Sequence, residues 1–176
     1  MLFRSVGLKP GINNAAVDHF RIRVHGKSTH VSTPHLGVDA LYIASQIVVA
    51  VQGLVTRRTS PTEPVIIGIG KLNAGTTYNA VAAFAEMEGT TRTISQESRD
   101  RVRAQVSETA QSIAALYGGT VEIEWTDFAA ALINDPQVCR EAAEVVDELL
   151  GAGHVVTDRE LSLSGDNFAE FELYKP

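Results

Sequence analysis

Along residues 17–125 the apolar residues change their period in a set order, and that order restricts the fold more than any other feature of the chain. "VDHFRIRV" alternates, with Phe20, Ile22 and Val24 on one side and His19, Arg21 and Arg23 on the other, which predicts a half-buried strand. Leu41, Ala44, Ile47, Val48, Val51 and Val55 then recur at helical spacing, which predicts a helix from about Val38 to Thr56. "SPTEP" punctuates, and "VIIGIGKL" is near-continuously apolar and reads as a second strand. After the turn residues of "NAGTTYN", the segment "AAFAEMEGTTRT" alternates again, placing Ala85 and Met87 opposite Glu86, Glu88 and, by parity, Arg92. Ser95 stands where an N-cap belongs, Val102, Val106, Ala110, Ile113 and Tyr117 form one helical stripe, and "YGG" ends it. "TVEIEW" then turns Val121, Ile123 and Trp125 to one side.

The resulting order is β-α-β-β-α-β, the α+β, ferredoxin-like pattern of four antiparallel strands covered on one face by two helices. Residues 15–131 therefore read as a complete small domain. Residues 132–176 offer an amphipathic helix, "DPQVCREAAEVVDELLGAG", with Val138, Ala142, Val145 and Leu149 on a stripe, followed by two short strands in "HVV" and "LSLSGDNFAEF". That is too little chain to enclose a core of its own. Residues 1–14 are too few to cover the stripe and read as a remnant of the same second domain or as a non-native leader. The expectation is a complete domain inserted into a second, α/β domain of which two edges are present.

A net charge of −6 without a dense Lys/Arg run argues against a nucleic-acid surface. No apolar run reaches the length of a membrane span in this reading, and the N-terminus lacks a charged-then-apolar leader pattern. One cysteine, Cys139, excludes an internal disulfide and fits a reducing, cytoplasmic setting. Cys139 falls in the helical pattern as a small, half-buried residue.

The polar residues cluster in three places. "HGKSTHVSTPHLG" spaces His25, His30 and His35 equally around a turn that Gly26 opens and Pro34 restrains. Catalytic zinc favours three protein ligands, but these three lie on a strand end, a turn and a helix start, with no carboxylate or thiolate beside them. A loop histidine bonded to local backbone is the plainer reading. Asn79 and Arg92 either form a carboxylate-recognising pair or are a turn asparagine and a sheet-face arginine matched with Glu86 or Glu88. Gly75 is a turn glycine rather than a phosphate cradle, and Ser164 with Asp166 lacks the G-x-S-x-G elbow of a hydrolase triad.

"GKSTHVSTPHLGVDAL", "IGIGKLNAGTTYNAVAAFAEMEGTTRT" and "LSLSGDNFAEF" resemble, in order and spacing, the lid domain and following segment of the M20 metallopeptidases. The branch they are most similar to is that of the N-acyl-amino-acid amidohydrolases. The resemblance implies a catalytic domain with two divalent ions (zinc, manganese or cobalt), interrupted by a ferredoxin-like lid that mediates a homodimer. It implies that His30 stabilises the oxyanion of amide hydrolysis, often from the partner subunit, and that Asn79 and Arg92 bind the substrate's carboxylate end. Gly75 and Asp166 would line the cleft. It places the metal-binding segments and the catalytic glutamate upstream of the lid and a last histidine ligand beyond the tail, so no metal is expected on this chain by itself. Ala74-Gly75 replaces the usual Gly-Gly, Ala82 replaces a proline, and Gly165-Asp166-Asn167-Phe168 replaces Ser-Glu-Asp-Phe, with one carboxylate fewer. A peptidase or desuccinylase of the same family, and a non-catalytic ferredoxin-like dimerisation or ligand-binding module, are the competing expectations.

Overall fold

The computed structural model describes residues 5–172, so residues 1–4 of the expected 1–14 segment and residues 173–176 of the tail lie outside the described residues. In chain order the strands and helices are β1 (Val6–Gly7), β2 (Gly11–Asn14), β3 (Ala16–His25), α1 (Ala40–Gly53), β4 (Ile66–Ala74), β5 (Phe84–Thr93), α2 (Gln96–Leu116), β6 (Thr120–Ala129), β7 (Leu132–Asn134), α3 (Pro136–Leu150), β8 (Val155–Val156) and α4 (Ala169–Glu172). Strands β3 to β6 form one four-stranded sheet in the order β4-β5-β3-β6, every neighbouring pair antiparallel. With α1 and α2 this is the α+β, ferredoxin-like arrangement that the sequence periods predict.

The alternation in β3 decides which face is which. Phe20, Ile22 and Val24 are fully buried under the helices, packed with Ile43, Ile47 and Val51 of α1, Met87 of β5 and Val102 and Val106 of α2. Each such side chain contributes about 1.5–3 kcal/mol by leaving water. Residues 40–58 are long and apolar enough to cross a membrane by length and composition, yet Ile43, Ala44, Ile47 and Val51 are core residues of this layer. Helix α1 starts at Asp39, whose carboxylate accepts from the Leu41 and Tyr42 amides, and it runs past Gly53 into a π-helical turn over Leu54–Arg58. Ser95 caps α2 by accepting from the Ser98 amide at 3.1 Å.

The opposite face of the sheet is a charge lattice. Central β3 supplies Arg21 and Arg23, and its two neighbours supply the acids: Arg23 bonds Glu86 at 3.1 Å and Glu124 at 2.6 Å, and Arg21 lies within 3.8 Å of Glu86, Glu88 and Glu124. Glu88 also accepts from Lys71 and faces His19, and these two hydrogen bonds hold its carboxyl down at about 2.

Asp18 sits on the core face of β3 and is 1% exposed. Arg99 Nε donates to both its oxygens at 2.9 and 3.1 Å, Arg103 Nε donates at 3.0 Å, and the Thr91 hydroxyl donates at 3.4 Å. Arg103 also pairs with Asp127 and lies over the Trp125 ring at 5.5 Å. The i, i+4 spacing of Arg99 and Arg103 on α2 brings both guanidinium groups onto one carboxylate.

Outside the sheet, β1 pairs in parallel with β8 and β2 pairs antiparallel with β7, so the segments on either side of residues 15–131 meet. The tail's second predicted strand is not one: residues 161–164 make a single bridge, Asn14 to Ser162, and the chain then turns into α4. In that turn Asp166 Oδ1 accepts from the Phe168 amide at 2.9 Å, a local bond of the kind that competes with an extended ladder. Helix α3 buries Cys139 but leaves Val138, Val145 and Leu149 exposed.

Replacing Asp18 by Ala leaves buried Arg99 with only the more distant Asp127 carboxylate, 3.7 Å away, and the expected loss is about 3 kcal/mol in urea unfolding. The linkage to pH has a definite sign. Burial pushes the Asp18 carboxyl up, but hydrogen bonds and charge from Arg99 and then Arg103 outweigh it and hold the carboxyl below its ordinary 3.8. The unfolded chain therefore binds this proton first, so the contribution is complete above about pH 4 and is lost as pH falls through the folded value. Unfolding curves between pH 7 and pH 3 should show wild-type stability falling by more than that of Asp18→Asn.

Candidate functional site

The loop after β3 closes on itself before α1 begins. Lys27 and Val38 exchange both backbone hydrogen bonds at 2.8 Å, which brings the two loop ends together at Gly26. A Cβ on Gly26 would lie 2.2 Å from the Val38 carbonyl oxygen. Close approach of backbone, rather than a left-handed turn, is thus what demands glycine there. Within the loop, Thr33 N donates to the His30 carbonyl at 2.9 Å and the Thr29 and Thr33 hydroxyls meet at 3.1 Å. Pro34–Leu36 form a short 3-10 turn that leaves His35 exposed.

The β4–β5 connection supplies the other wall. Gly75 turns the chain at φ 72°, in the left-handed region, and its amide donates to the Phe84 carbonyl at 3.3 Å. The following segment docks along the histidine loop: Val31 N donates to Asn79 O at 3.2 Å, Val81 N to Thr29 O at 2.8 Å and Gly26 N to Ala83 O at 2.8 Å. His30 faces Ala80 in this short ladder. Beside it lies an open cavity of about 390 Å³, lined by Val31, Asp39, Gly75, Thr77 and Ala80 among others.

His30 and Asn79 are both exposed and both held by a neighbour two residues away. The Ser32 amide donates to His30 Nδ1 at 3.2 Å, with the Ser32 hydroxyl at 2.7 Å from the same nitrogen. The Thr77 hydroxyl donates to Asn79 Oδ1 at 3.2 Å, which leaves the two amide hydrogens on Nδ2 for an outside acceptor. Neither Ser32 nor Thr77 was marked by motif or period. Their signal is a hydroxyl two residues from a candidate side chain, too common in loops to single out.

Of the three equally spaced histidines, His30 is the one bridged to the β4–β5 connection, and His35 stays exposed in the 3-10 turn. His25 packs its ring against Phe84 at 5.6 Å between centroids and faces Glu122 at 3.4 Å, on the charged sheet face. Among the described residues no three His, Cys, Asp or Glu side chains converge as metal ligands. The described residues by themselves thus do not make up a metal centre.

Arg92 stands elsewhere. From Phe84 to Arg92 is eight residues of extended chain, about 26 Å at the rise of a strand, so Arg92 occupies the end of β5 remote from Asn79 and His30. Register pairs it with Ile66 on one side and Val17 on the other. Glu86 and Glu88 are engaged by Arg21, Arg23 and Lys71, and Arg92 makes no ion pair among the described residues. It lines an open cavity of about 630 Å³ with Ile66, Thr90, Phe128, Ser164 and Gly165. The Gly165 position approaches Arg92 Nη1, a Cβ there lying 3.5 Å away, and half-buried Asp166 follows directly. The predicted site residues therefore form two groups, His30 with Asn79 and Gly75 at one end of the sheet and Arg92 with Asp166 at the other.

The class these elements define is a ferredoxin-like α+β domain with an exposed, backbone-docked histidine beyond one strand end and, at the other, an arginine without an ion pair among the described residues. Residues 14–117 match the family model described as the peptidase dimerisation domain of the M20 group, and the chain belongs to that family. An N-acetyl-L-cysteine deacetylase of Bacillus subtilis is 34% identical over 172 residues, covering 98% of this chain and 41% of the relative. Thermostable carboxypeptidase 1 of Saccharolobus solfataricus is 32% identical over 158 residues, covering 89% and 39%. The crystal structure of a Bacillus subtilis dinuclear metal binding peptidase from the M20 family superposes with a TM-score of 0.76 at 30% identity, covering 97% of this chain and 41% of that one. The chain spans about two fifths of the length of these relatives.

Gly26→Ala should push the loop off Val38 and undo the docking of residues 27–31 on 79–83. The expected readout is amide chemical-shift changes concentrated in those two segments, with the β3–β6 register left as it is.

Proposed function

We propose that the whole protein is a metal-dependent amidohydrolase that cleaves the amide bond of N-acyl amino acids, and that this chain supplies its lid. The observation that carries the reading is the presentation of His30, an imidazole on a backbone-docked loop with Nδ1 engaged and Nε2 left to donate outward. Amide hydrolysis builds negative charge on the carbonyl oxygen, and a donor already in place for that charge is worth about 3–4 kcal/mol. Asn79, whose carbonyl accepts from the Val31 amide next to His30 and whose side chain is oriented by Thr77, adds an amide donor for the substrate. Arg92, half-buried and without a carboxylate partner among the described residues, suits the carboxylate of an amino-acid product through its two-pronged fork. Asp166 and Gly75 border the two groups. The deacetylase relative supports the acyl-amino-acid assignment, and the carboxypeptidase relative keeps a same-family peptidase as the second reading.

Two divalent ions, zinc, manganese or cobalt, would be held by residues of the whole protein outside this chain and would supply the hydrolytic water. Residues 15–131 are the lid in this reading, and the segments 1–14 and 132–176 are edges of the catalytic domain. The exposed apolar stripe of α3, Val138, Val145 and Leu149, then lies against the remainder of that domain. A homodimer forms through the lid, where Leu41, Tyr42, Val49 and Leu116 leave apolar surface open on the helical layer. We assign the enzyme to the cytoplasm.

The separation of the two groups makes the reading sharp. About 26 Å is too far for one small substrate to touch His30 and Arg92 of the same chain. In a dimer, each site would take Arg92 from one subunit and His30 with Asn79 from the other. His30→Ala in the full-length enzyme should lower kcat by about a hundredfold with metal content unchanged, and Arg92→Ala should chiefly raise KM. Mixed dimers of His30→Ala and Arg92→Ala subunits should regain part of the activity, because one of their two sites has both residues intact. Absence of recovery in isolated mixed dimers overturns the composite site, and loss of metal from His30→Ala overturns the donor role.

A further inference from the structure

We infer that Ser32 is the positioning residue that holds His30 as an Nε2–H donor, an inference that rests on the oxyanion reading of His30 yet has a readout independent of it. A neutral imidazole has one N–H and one lone pair, and the bond made by one nitrogen decides what the other offers. A backbone N–H can only donate. The Ser32 amide at 3.2 Å from Nδ1 biases that nitrogen towards accepting, but the bond is long, and the shorter hydroxyl bond is needed beside it to keep the ring proton on Nε2. The Ser32 hydroxyl, 2.7 Å from the same Nδ1, donates a second and shorter bond. Both donors come from one residue, so the tautomer does not depend on any group outside the loop.

The loop holds this geometry firmly. The His30 carbonyl receives the Thr33 amide at 2.9 Å and the Thr33 hydroxyl at 3.2 Å, which fixes the turn that carries Ser32 under the ring. His30 is itself fixed against Ala80 by the flanking backbone bonds of Thr29 and Val31. Ser32 is exposed and packs into no core, so its hydroxyl has no other evident task. The chemical gain is that the donor hydrogen is in place before charge develops on a carbonyl oxygen, with no tautomer change needed during reaction. If Nδ1 carried the proton instead, two N–H groups would point at each other across 3.2 Å and Nε2 would present a lone pair to the oxyanion.

The test reads the ring directly. In the 176-residue chain, nitrogen-15 shifts of the His30 imidazole are assigned among the five histidines by their loss in His30→Gln. At a pH where the ring is neutral, wild type should show an unprotonated Nδ1 and a protonated Nε2, and Ser32→Ala should show averaged shifts of a tautomer mixture. Ser32→Thr, which keeps the hydroxyl, should return to the wild-type pattern. In the full-length enzyme Ser32→Ala should lower kcat about tenfold with KM nearly unchanged, and Ser32→Thr should recover to within about twofold, the scale of one net hydrogen bond. Wild-type ring shifts in Ser32→Ala, or a proton on Nδ1 in wild type, overturn the proposal, as does a fall in kcat without a change in the ring. A changed tautomer with unchanged kcat sustains the positioning role and overturns the oxyanion reading instead.

Discussion

The register of β3 between its two neighbours is the constraint on which everything else rests. His25 pairs with Phe84 and Thr120, and the ladders continue from there to Val17 on both sides, with one irregularity beside Val17 on the β6 edge. Side chains alternate along a strand, so a slip of one residue would carry Arg21 and Arg23 into the core and expel Phe20, Ile22 and Val24. That exchange would bury charge without partners and lose the interior packing together, which leaves one register open. The same register aligns the acids of β5 and β6 with the arginines of β3, so the solvent face is neutralised by the geometry that fills the core.

The site is an extension of that ladder past the end of the sheet. Gly26 lets the chain pass against Val38, and the backbone bonds of residues 26–31 to residues 79–83 continue the β3–β5 pairing beyond His25 and Phe84. His30 therefore sits on a rigid continuation of the central strand rather than on a free loop, though its side chain is exposed. This is how a polar, small-residue segment can present one donor accurately. At the other end of the sheet the buried Asp18–Arg99–Arg103 cluster ties the start of β3 to the first turns of α2. It stiffens the region from which Arg92 and the 162–166 segment project. The two groups of polar residues are thus held apart by the length of one rigid strand, which is why a second subunit enters the functional proposal.

Several elements were legible from residue order alone. Phe20, Ile22 and Val24 stand at period two, the α1 and α2 stripes at period 3.6, and Ser95 at a cap, and each of these is a local preference that the folded chain also satisfies. Asp18 was not legible. It occupies a core-facing position by parity, yet its acidity only makes sense once Arg99 and Arg103, more than eighty residues away, are known to arrive over it. The predicted strand at 161–164 failed for a related reason: extended residues become a strand only when a neighbour offers a full ladder, and Asn14 offers one bridge.

The sequence by itself determined the order of strands and helices, the face each one buries and the residues able to donate or bear charge, because those follow from side-chain period and chemistry within short windows. Tertiary structure alone decided which polar residues share a site. Asn79 and Arg92, thirteen residues apart and read as one constellation, are separated by the stiffness of β5, while His30 and Asn79, nearly fifty residues apart, are joined by two strands that must meet at the same end of a sheet. Proximity in space is set by register and strand length, and neither is written in the spacing of the residues that it brings together or keeps apart.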